Sequence, residues 1–429
     1  MLFRSAFIPV STQVPVFAMP ASSLNGQINT TLFNNVVTTK ITPELTNKIT
    51  YRYYNFQNNT PELLISNWVP FDSIAAGANP LHTTRSLSIS YTKQNVGEEL
   101  VWRPSREWTF GAVYGFERYS WARADVGATN ENAGKLFADY KPWNWLTARS
   151  SVTYGNRRYQ NYDYWNRVGS YQWPLQLTPP TTGSFAYPAS YRQLMFSNRE
   201  TWKGNFAVDI VVVRGLTITP TLKYQDEQYS VNPQNQQGLK DRKVWSAGID
   251  TTYLLSPSTS VMVGYNWDYY NQLMFGTNCT NNVCAPANFQ TQTNNSMTVH
   301  SVTFLLRHAA IPDKLDTDLR YVASRGADRI NLFLGNGALP TGGQFPDMTT
   351  WYQRLDATAT YKFDKDQVAR LGWNGDVRAR LRYTWERNSV SWYASDIYAP
   401  GYSTNVFIMG WDNPNYNVHL MAASLAWSW

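Results

Sequence analysis

The sequence predicts a single all-β fold, a transmembrane antiparallel up-and-down β-barrel, and three observations predict it. Long segments alternate apolar and polar residues: Leu146, Ala148, Ser150, Val152 and Tyr154 fall on one parity, and Thr147, Arg149, Ser151, Thr153 and Arg157 on the other. Period two is the mark of a strand with one apolar and one polar face. Aromatic residues reach 15%, with 28 Tyr, 19 Phe and 18 Trp, and Tyr and Trp are the side chains enriched where hydrocarbon meets water. Short turns alternate with long polar loops, as in barrels whose periplasmic turns are short and whose outer loops are long.

The hairpin from Lys135 to Tyr159 shows all three features, with Lys141-Pro142-Trp143-Asn144-Trp145 at its turn. Before it, strands are expected over Gly26 to Ile41 and Leu45 to Gln57, then, past a polar stretch to Thr84, over Arg85 to Trp102 and Trp108 to Trp121. A long loop from Asn161 to Arg199 follows, rich in Tyr, Trp, Pro and Asn. Further pairs cover Trp202 to Val213 with Leu216 to Gln228, Val244 to Leu254 with Ser260 to Gln272, and Met297 to Ala309 with Leu315 to Ser324. The last pair, Tyr352 to Phe363 with Val377 to Trp392, has a longer link through Asp364 to Asp376, and a final strand runs from Asn415 to Trp429. Trp108, Trp143, Trp145, Trp427 and Trp429 are the candidate interfacial aromatics.

Nothing in the composition divides the chain, so residues 24–429 read as one barrel and residues 1–23 as an extended N-terminal segment or loop; two prolines and a lone Arg argue against a secretion signal there. No apolar run approaches the roughly 18 residues of a membrane helix. Mean hydropathy is −0.43, because alternation dilutes the apolar residues. The reading yields about 15 strands, whereas bacterial barrels normally have an even number. Either Phe3 to Val16 adds a sixteenth, or the chain is a fragment of a larger barrel, the reading that the lack of a signal favours.

A net charge of +7 is spread rather than massed, so no nucleic-acid stripe is read. Among the four histidines (His82, His300, His308 and His419) no spacing suggests a ligand pair, and there is no nucleophile motif or phosphate loop. No catalytic, metal-binding or cofactor-binding residue is assigned. Cys279 and Cys284 lie close together in a polar segment; a disulfide is expected in an oxidising compartment, and two free thiols are the alternative. Without Cys-x-x-Cys-His the chain itself carries no covalent haem. The polar parity supplies candidate lumen-facing charges: Arg149, Arg157, Lys203, Asp209, Asp250, Asp268, Asp316, Asp318, Arg320, Arg354, Asp356, Arg378, Arg380 and Arg382. They suit an ordinary wet pore lining or a charged surface against a protein inside the barrel, and charge alone does not separate the two.

Ser23-Leu24-Asn25-Gly26-Gln27, Tyr51-Arg52-Tyr53-Tyr54-Asn55, Trp102-Arg103-Pro104, Tyr114-Gly115-Phe116-Glu117, the Ala138 to Trp145 segment and Asn415-Tyr416-Asn417-Val418-His419, in that order, resemble the decahaem-associated outer-membrane porins of the MtrB/PioB family, and in particular its C-terminal part. The resemblance implies an outer-membrane barrel sheathing a periplasmic multihaem c-type cytochrome in a conduit for extracellular electron transfer, often with a second multihaem cytochrome docked outside. Haem would belong to the partner, and the family has no catalytic residues to carry over. Its members are longer and have more strands, and some have a cysteine pair near the mature N-terminus that nothing here matches. The alternative function is a general diffusion porin for small polar solutes; an outer-membrane enzyme would need an inward acid, base or nucleophile cluster that the sequence does not show.

Overall fold

The computed structural model describes residues 21–68, 82–86, 88–122, 127–160, 197–229, 238–277, 289–334, 344–370, 372–391 and 415–428. The first strands are β1 (Ile28–Lys40), β2 (Leu45–Asn58), β3 (Leu64–Trp68), β4 (His82–Arg85), β5 (Tyr91–Trp102), β6 (Trp108–Trp121), β7 (Ala128–Trp143) and β8 (Leu146–Gln160). They continue with β9 (Arg199–Val213), β10 (Leu216–Gln228), β11 (Gly238–Ser256), β12 (Thr259–Thr277), β13 (Phe289–Ile311), β14 (Leu315–Leu334) and β15 (Met348–Lys362). A short helix α1 (Lys365–Arg370) precedes β16 (Asp376–Ser391) and β17 (Tyr416–Ser428).

Fifteen strands form one antiparallel sheet in the order β1-β2-β5-β6 and then consecutively to β17, while β3 and β4 pair with each other as a side ribbon. Within the sheet each strand is joined to its neighbours in sequence, so the topology is up-and-down, with β1 and β17 at the two edges. Strand lengths run from 12 residues in β5 to 23 in β13. A tilted barrel strand needs about 9–11 residues to cross hydrocarbon, so the longest strands project well beyond it.

The turns at one end are short for identifiable reasons. Arg214-Gly215 joins β9 to β10 with Gly215 at φ +89°, a conformation that costs glycine nothing. Asp313, between β13 and β14, takes φ +64°, which Asp tolerates better than most residues. The β7–β8 turn is tighter than expected: Asn144-Trp145 alone separates the strands, and Pro142 lies in the last residues of β7, where the register shifts between Tyr140 and Trp143. Proline has no N–H to give the ladder, so the irregularity falls there. The expected link from Asp364 to Asp376 contains α1. At its start the Asp364 N–H donates back to Gln367 Oε1 (3.0 Å), with Asp366 in the first turn and Arg370 in the last. The β3–β4 ribbon was not foreseen, because the segment around it reads as polar loop. Phe3 to Val16, Cys279, Cys284 and Trp429 lie outside the described residues.

The sheet is one layer thick and has almost no interior. Among the described residues the buried apolar side chains are Ala128, Tyr229, Val368 and Val377, the last two where α1 meets the foot of β16. The register therefore decides which residues share a face. Leu136 pairs with Val152, Val152 with Gly204, Phe206 with Leu222, Ile249 with Tyr265, Val263 with Phe304 and Leu306 with Leu319. This apolar face is open, with Leu136 67% and Met421 79% exposed, and an apolar area of that extent needs a covering.

On the other face Gly111 lies directly across from Phe137, and a Cβ at Gly111 would lie only 2.0 Å from two carbons of the Phe137 ring. Gly111→Ala should therefore destabilise the barrel by about 1–3 kcal/mol through overpacking. Gly111→Ala combined with Phe137→Ala should recover most of that loss, read as the urea midpoint for unfolding in detergent micelles.

Candidate functional site

The chemistry-bearing side chains gather on the face opposite Leu136, Val152 and Phe206, and the pairing of strands joins them into separate clusters. At the long-loop end Glu131 of β7 faces Arg157 of β8, Arg157 faces Arg199 of β9, and Glu227 of β10 faces Arg242 of β11. Arg199 bridges two acids, reaching Glu131 at 2.8 Å and Glu227 at 3.3 Å, while Arg242 approaches Glu227 at 3.2 Å. Tyr229 Oη (3.1 Å) and Gln225 Nε2 (2.9 Å) donate to the same Glu227 carboxylate, and Arg157 Nε donates to the Ser197 carbonyl at 3.0 Å. Glu227 is only 3% exposed, so its charge depends on these donors.

A second network ties β15 to β16. Asp356 Oδ2 accepts from Arg354 Nε at 2.7 Å, and Oδ1 accepts from Arg382 Nη2 at 2.8 Å and Thr384 Oγ1 at 2.7 Å. Arg354 also reaches Glu386 at 3.3 Å, and Tyr416 of β17 donates to Glu386. Elsewhere on this face Arg149 pairs with Asp209 at 2.6 Å, Lys93 with Glu117 at 2.8 Å and Arg307 with Asp318 at 3.6 Å. Asp268 accepts from Ser246 and Asn266. Charge-assisted bonds of this kind stiffen the wall laterally.

A third cluster on the same face is aromatic. At the long-loop end of β2, β5 and β6, Phe56 stacks on Tyr91 at 5.0 Å, Tyr91 meets Tyr119 at 4.9 Å and Trp121 at 5.6 Å, and Tyr119 stacks on Trp121 at 3.9 Å. Lys93 lies over the Tyr119 ring at 5.6 Å, within cation–π range.

All fourteen charges expected on the polar parity share this face by register. The structure brings Arg149 to Asp209, Arg354 and Arg382 to Asp356, and Asp318 to Arg307, and it places Arg157 in the long-loop cluster. Lys203, Asp250, Asp316, Arg320, Arg378 and Arg380 stand on the face without a hydrogen bond or ion pair among the described residues. Sequence reasoning missed Glu131, Arg199, Glu227 and Arg242. The strands that alternation predicts from Lys135, Trp202 and Val244 begin earlier, at Ala128, Arg199 and Gly238, and in these extensions Arg199 shares the parity of Lys203 and Arg242 that of Asp250. It also missed the inward aromatics, although Tyr119 and Trp121 continue the parity of Glu117.

The aromatics expected at an interface cluster at the short-turn end. Trp108 stacks on Tyr140 at 4.1 Å and Trp143 on Trp145 at 5.0 Å. Trp427 stacks on Trp373 at 5.5 Å and donates to the Asn374 carbonyl at 2.6 Å. At the long-loop end of the apolar face, Tyr154 meets Trp202 at 4.8 Å and Tyr224 meets Trp245 at 4.3 Å. Two aromatic levels thus bracket an apolar band, the pattern of a bilayer-spanning sheet. No group of His, Cys, Asp and Glu among the described residues could hold a metal, and no described helix is long and apolar enough to cross a membrane.

Two outcomes test these clusters. Glu227→Gln leaves Arg199 and Arg242 without their shared acid, and should cost about 2–3 kcal/mol, at or below the low end for breaking a buried pair because water reaches Arg242, read as a lower urea midpoint. Just before β15, Asp347 accepts two bonds from Arg329 of β14, at 2.9 and 2.7 Å, which hold its carboxyl below the usual carboxylate range. A depressed carboxyl contributes fully above its unfolded pKa of about 3.9 and loses that contribution as pH falls through the folded value. Amide exchange at Met348 and Thr349, corrected for intrinsic rates, should therefore speed up only at strongly acidic pH.

The family model for outer membrane beta-barrel porins of the MtrB/PioB type matches residues 5–429. No curated protein matches the sequence. Among solved structures, the siderophore receptor PirA from Acinetobacter baumannii is similar over 95% of this chain and 72% of its own, at 9% identity and a TM-score of 0.39. A mutant of the ferric enterobactin receptor PfeA from Pseudomonas aeruginosa is similar over 93% of this chain and 70% of its own, at 9% identity and a TM-score of 0.40. The apolar band, the aromatic levels and the up-and-down sheet are those of a bacterial outer-membrane barrel, and the chain belongs to the MtrB/PioB family of outer-membrane β-barrel porins.

Proposed function

We propose that this barrel is a non-enzymatic sheath: its charged face lines a lumen that holds a periplasmic multihaem c-type cytochrome, and electrons cross the outer membrane along the partner's haems. The barrel binds no cofactor of its own. An outer-surface multihaem cytochrome would meet the long-loop end, and lipid covers the apolar face.

The observation that carries this reading is the inward aromatic cluster of Phe56, Tyr91, Tyr119 and Trp121. A diffusion pore keeps its lumen polar because water fills it. Large rings on the same face as Lys93 and Glu117 suit a surface that is desolvated by another protein, where Tyr and Trp are the favoured anchors. The inward positions of β17 point the same way, since Val418 and Leu420, which face Glu386 and Thr384 in register, are 50% and 55% exposed. The paired charges around them would keep the wall in shape while presenting few uncompensated ions to a protein partner.

The test is purification of the native protein from outer membranes in mild detergent, with visible absorption and haem staining of the co-purifying bands. A haem protein in fixed ratio to the barrel is the expected result. A colourless barrel from haem-replete cells would overturn the sheath and leave the diffusion pore, to be measured by conductance.

A further inference from the structure

At the short-turn end of the charged face the matching of opposite charges fails. Lys362, the last residue of β15, lies directly across from Arg378 of β16, and Arg380 follows two residues on along the same face. Directly opposed side chains in an antiparallel pair have Cβ atoms about 4.5–5.5 Å apart, and like charges there are destabilising. All three cations are exposed, and among the described residues none of their side chains makes an ion pair or hydrogen bond. Arg382, next in the row, is different because Asp356 holds it at 2.8 Å.

The wall around the three cations leaves them open. On the β17 side Arg378, Arg380 and Arg382 face Ala426, Ser424 and Ala422, three small side chains that neither pair with a guanidinium nor cover it. The acids nearest in register and sequence are Asp376, two residues before Arg378 and opposite Ser428, Asp316, separated from Arg380 by Thr360, and Asp364, two residues after Lys362, whose carboxylate is taken by Lys314. None of them is bonded to the three cations. In the two other groups of arginines described on this face an acid is set among them, Asp356 between Arg354 and Arg382 and Glu227 between Arg199 and Arg242.

Resting on the sheath reading above, we propose that Lys362, Arg378 and Arg380 form a basic seat just inside the short-turn mouth, and that it takes the carboxylates of an acidic patch on the protein occupying the lumen. Two arginines whose Cα atoms stand about 6.6–6.8 Å apart along one strand, with small residues beside them, can each fork onto a separate carboxylate. The short turns face the periplasm in barrels of this kind, so the seat lies where a periplasmic partner enters. Its charge would steer the acidic end inward and fix the partner's depth, and the three cations would lose their mutual repulsion only in the complex.

The test compares wild type, the charge-reversed R378E/R380E, the neutral R378Q/R380Q and the charge-keeping R378K/R380K barrels. Each is expressed in the native host and isolated from outer membranes in mild detergent at rising NaCl, with heat-modifiable migration as the check on folding. The readout is haem absorption per barrel. Wild type and R378K/R380K should keep their haem protein to similar salt, while R378E/R380E should lose about tenfold or more of it, since apposed like charges are strongly unfavourable at an interface. R378Q/R380Q should fall between, and it carries the comparison if the reversed variant fails to fold. Wild-type and glutamine barrels that retain haem equally at every salt concentration would overturn the seat while leaving the sheath standing. A wild-type barrel without haem would overturn both.

Discussion

A single-layer sheet has no core to hold it together, and everything else in this protein follows from that. Fifteen strands satisfy their backbone N–H and C=O groups almost wholly through lateral pairing, and only four apolar side chains among the described residues are buried. In water such a sheet would expose one long apolar face at a cost no other contact here offsets. In a bilayer the same face is matched to its solvent, and lateral pairing becomes obligatory because hydrocarbon offers no other partner to a peptide group. Period-two patterning, short turns at one end and aromatic residues at two levels are consequences of this one constraint.

The other face is governed by water and charge. Acids and bases sit on adjacent strands at the same or the next step of the ladder, so the register that pairs the backbones also brings the charges together: Arg307 directly faces Asp318 and Arg354 faces Glu386, while Arg149 meets Asp209 and Lys93 meets Glu117 diagonally. Where one acid must serve several bases it is drawn inward, as Glu227 is, and a side chain that would be costly alone becomes a tie across three strands. The two ends of this face differ. The long-loop end carries the buried ion cluster and the inward rings, while the short-turn end carries, at Lys362, Arg378 and Arg380, three cations that no acid bonds. A wall with such polarity has an orientation for whatever it encloses.

Much of the architecture was legible from residues alone. Parity in Leu146 to Tyr154 named the apolar and polar faces correctly because side chains of a strand must alternate, and the strands from Leu216 to Gln228 and Trp108 to Trp121 end where the alternation ends. The polar parity likewise separated the charges by face, since a register that displaced one would displace every apolar neighbour with it. Less legible were the strand ends at Glu131, Arg199 and Arg242. Beyond the bilayer a strand no longer needs an apolar face, so the pattern fades while the ladder continues. The helix in the β15–β16 link was also hidden, because six residues with one buried valine leave too little periodicity to read.

By itself, then, the sequence determined the all-β class, the alternation of faces and the end at which the turns are short, because these depend on the identity and spacing of neighbouring residues. Only the tertiary structure decided which charges meet. Arg199 joins Glu131 and Glu227 from 68 and 28 residues away, and Lys362 faces Arg378 rather than an acid. Partnership across strands depends on register, and register is set by turns, bulges and the lateral order of the whole sheet rather than by any local stretch of chain.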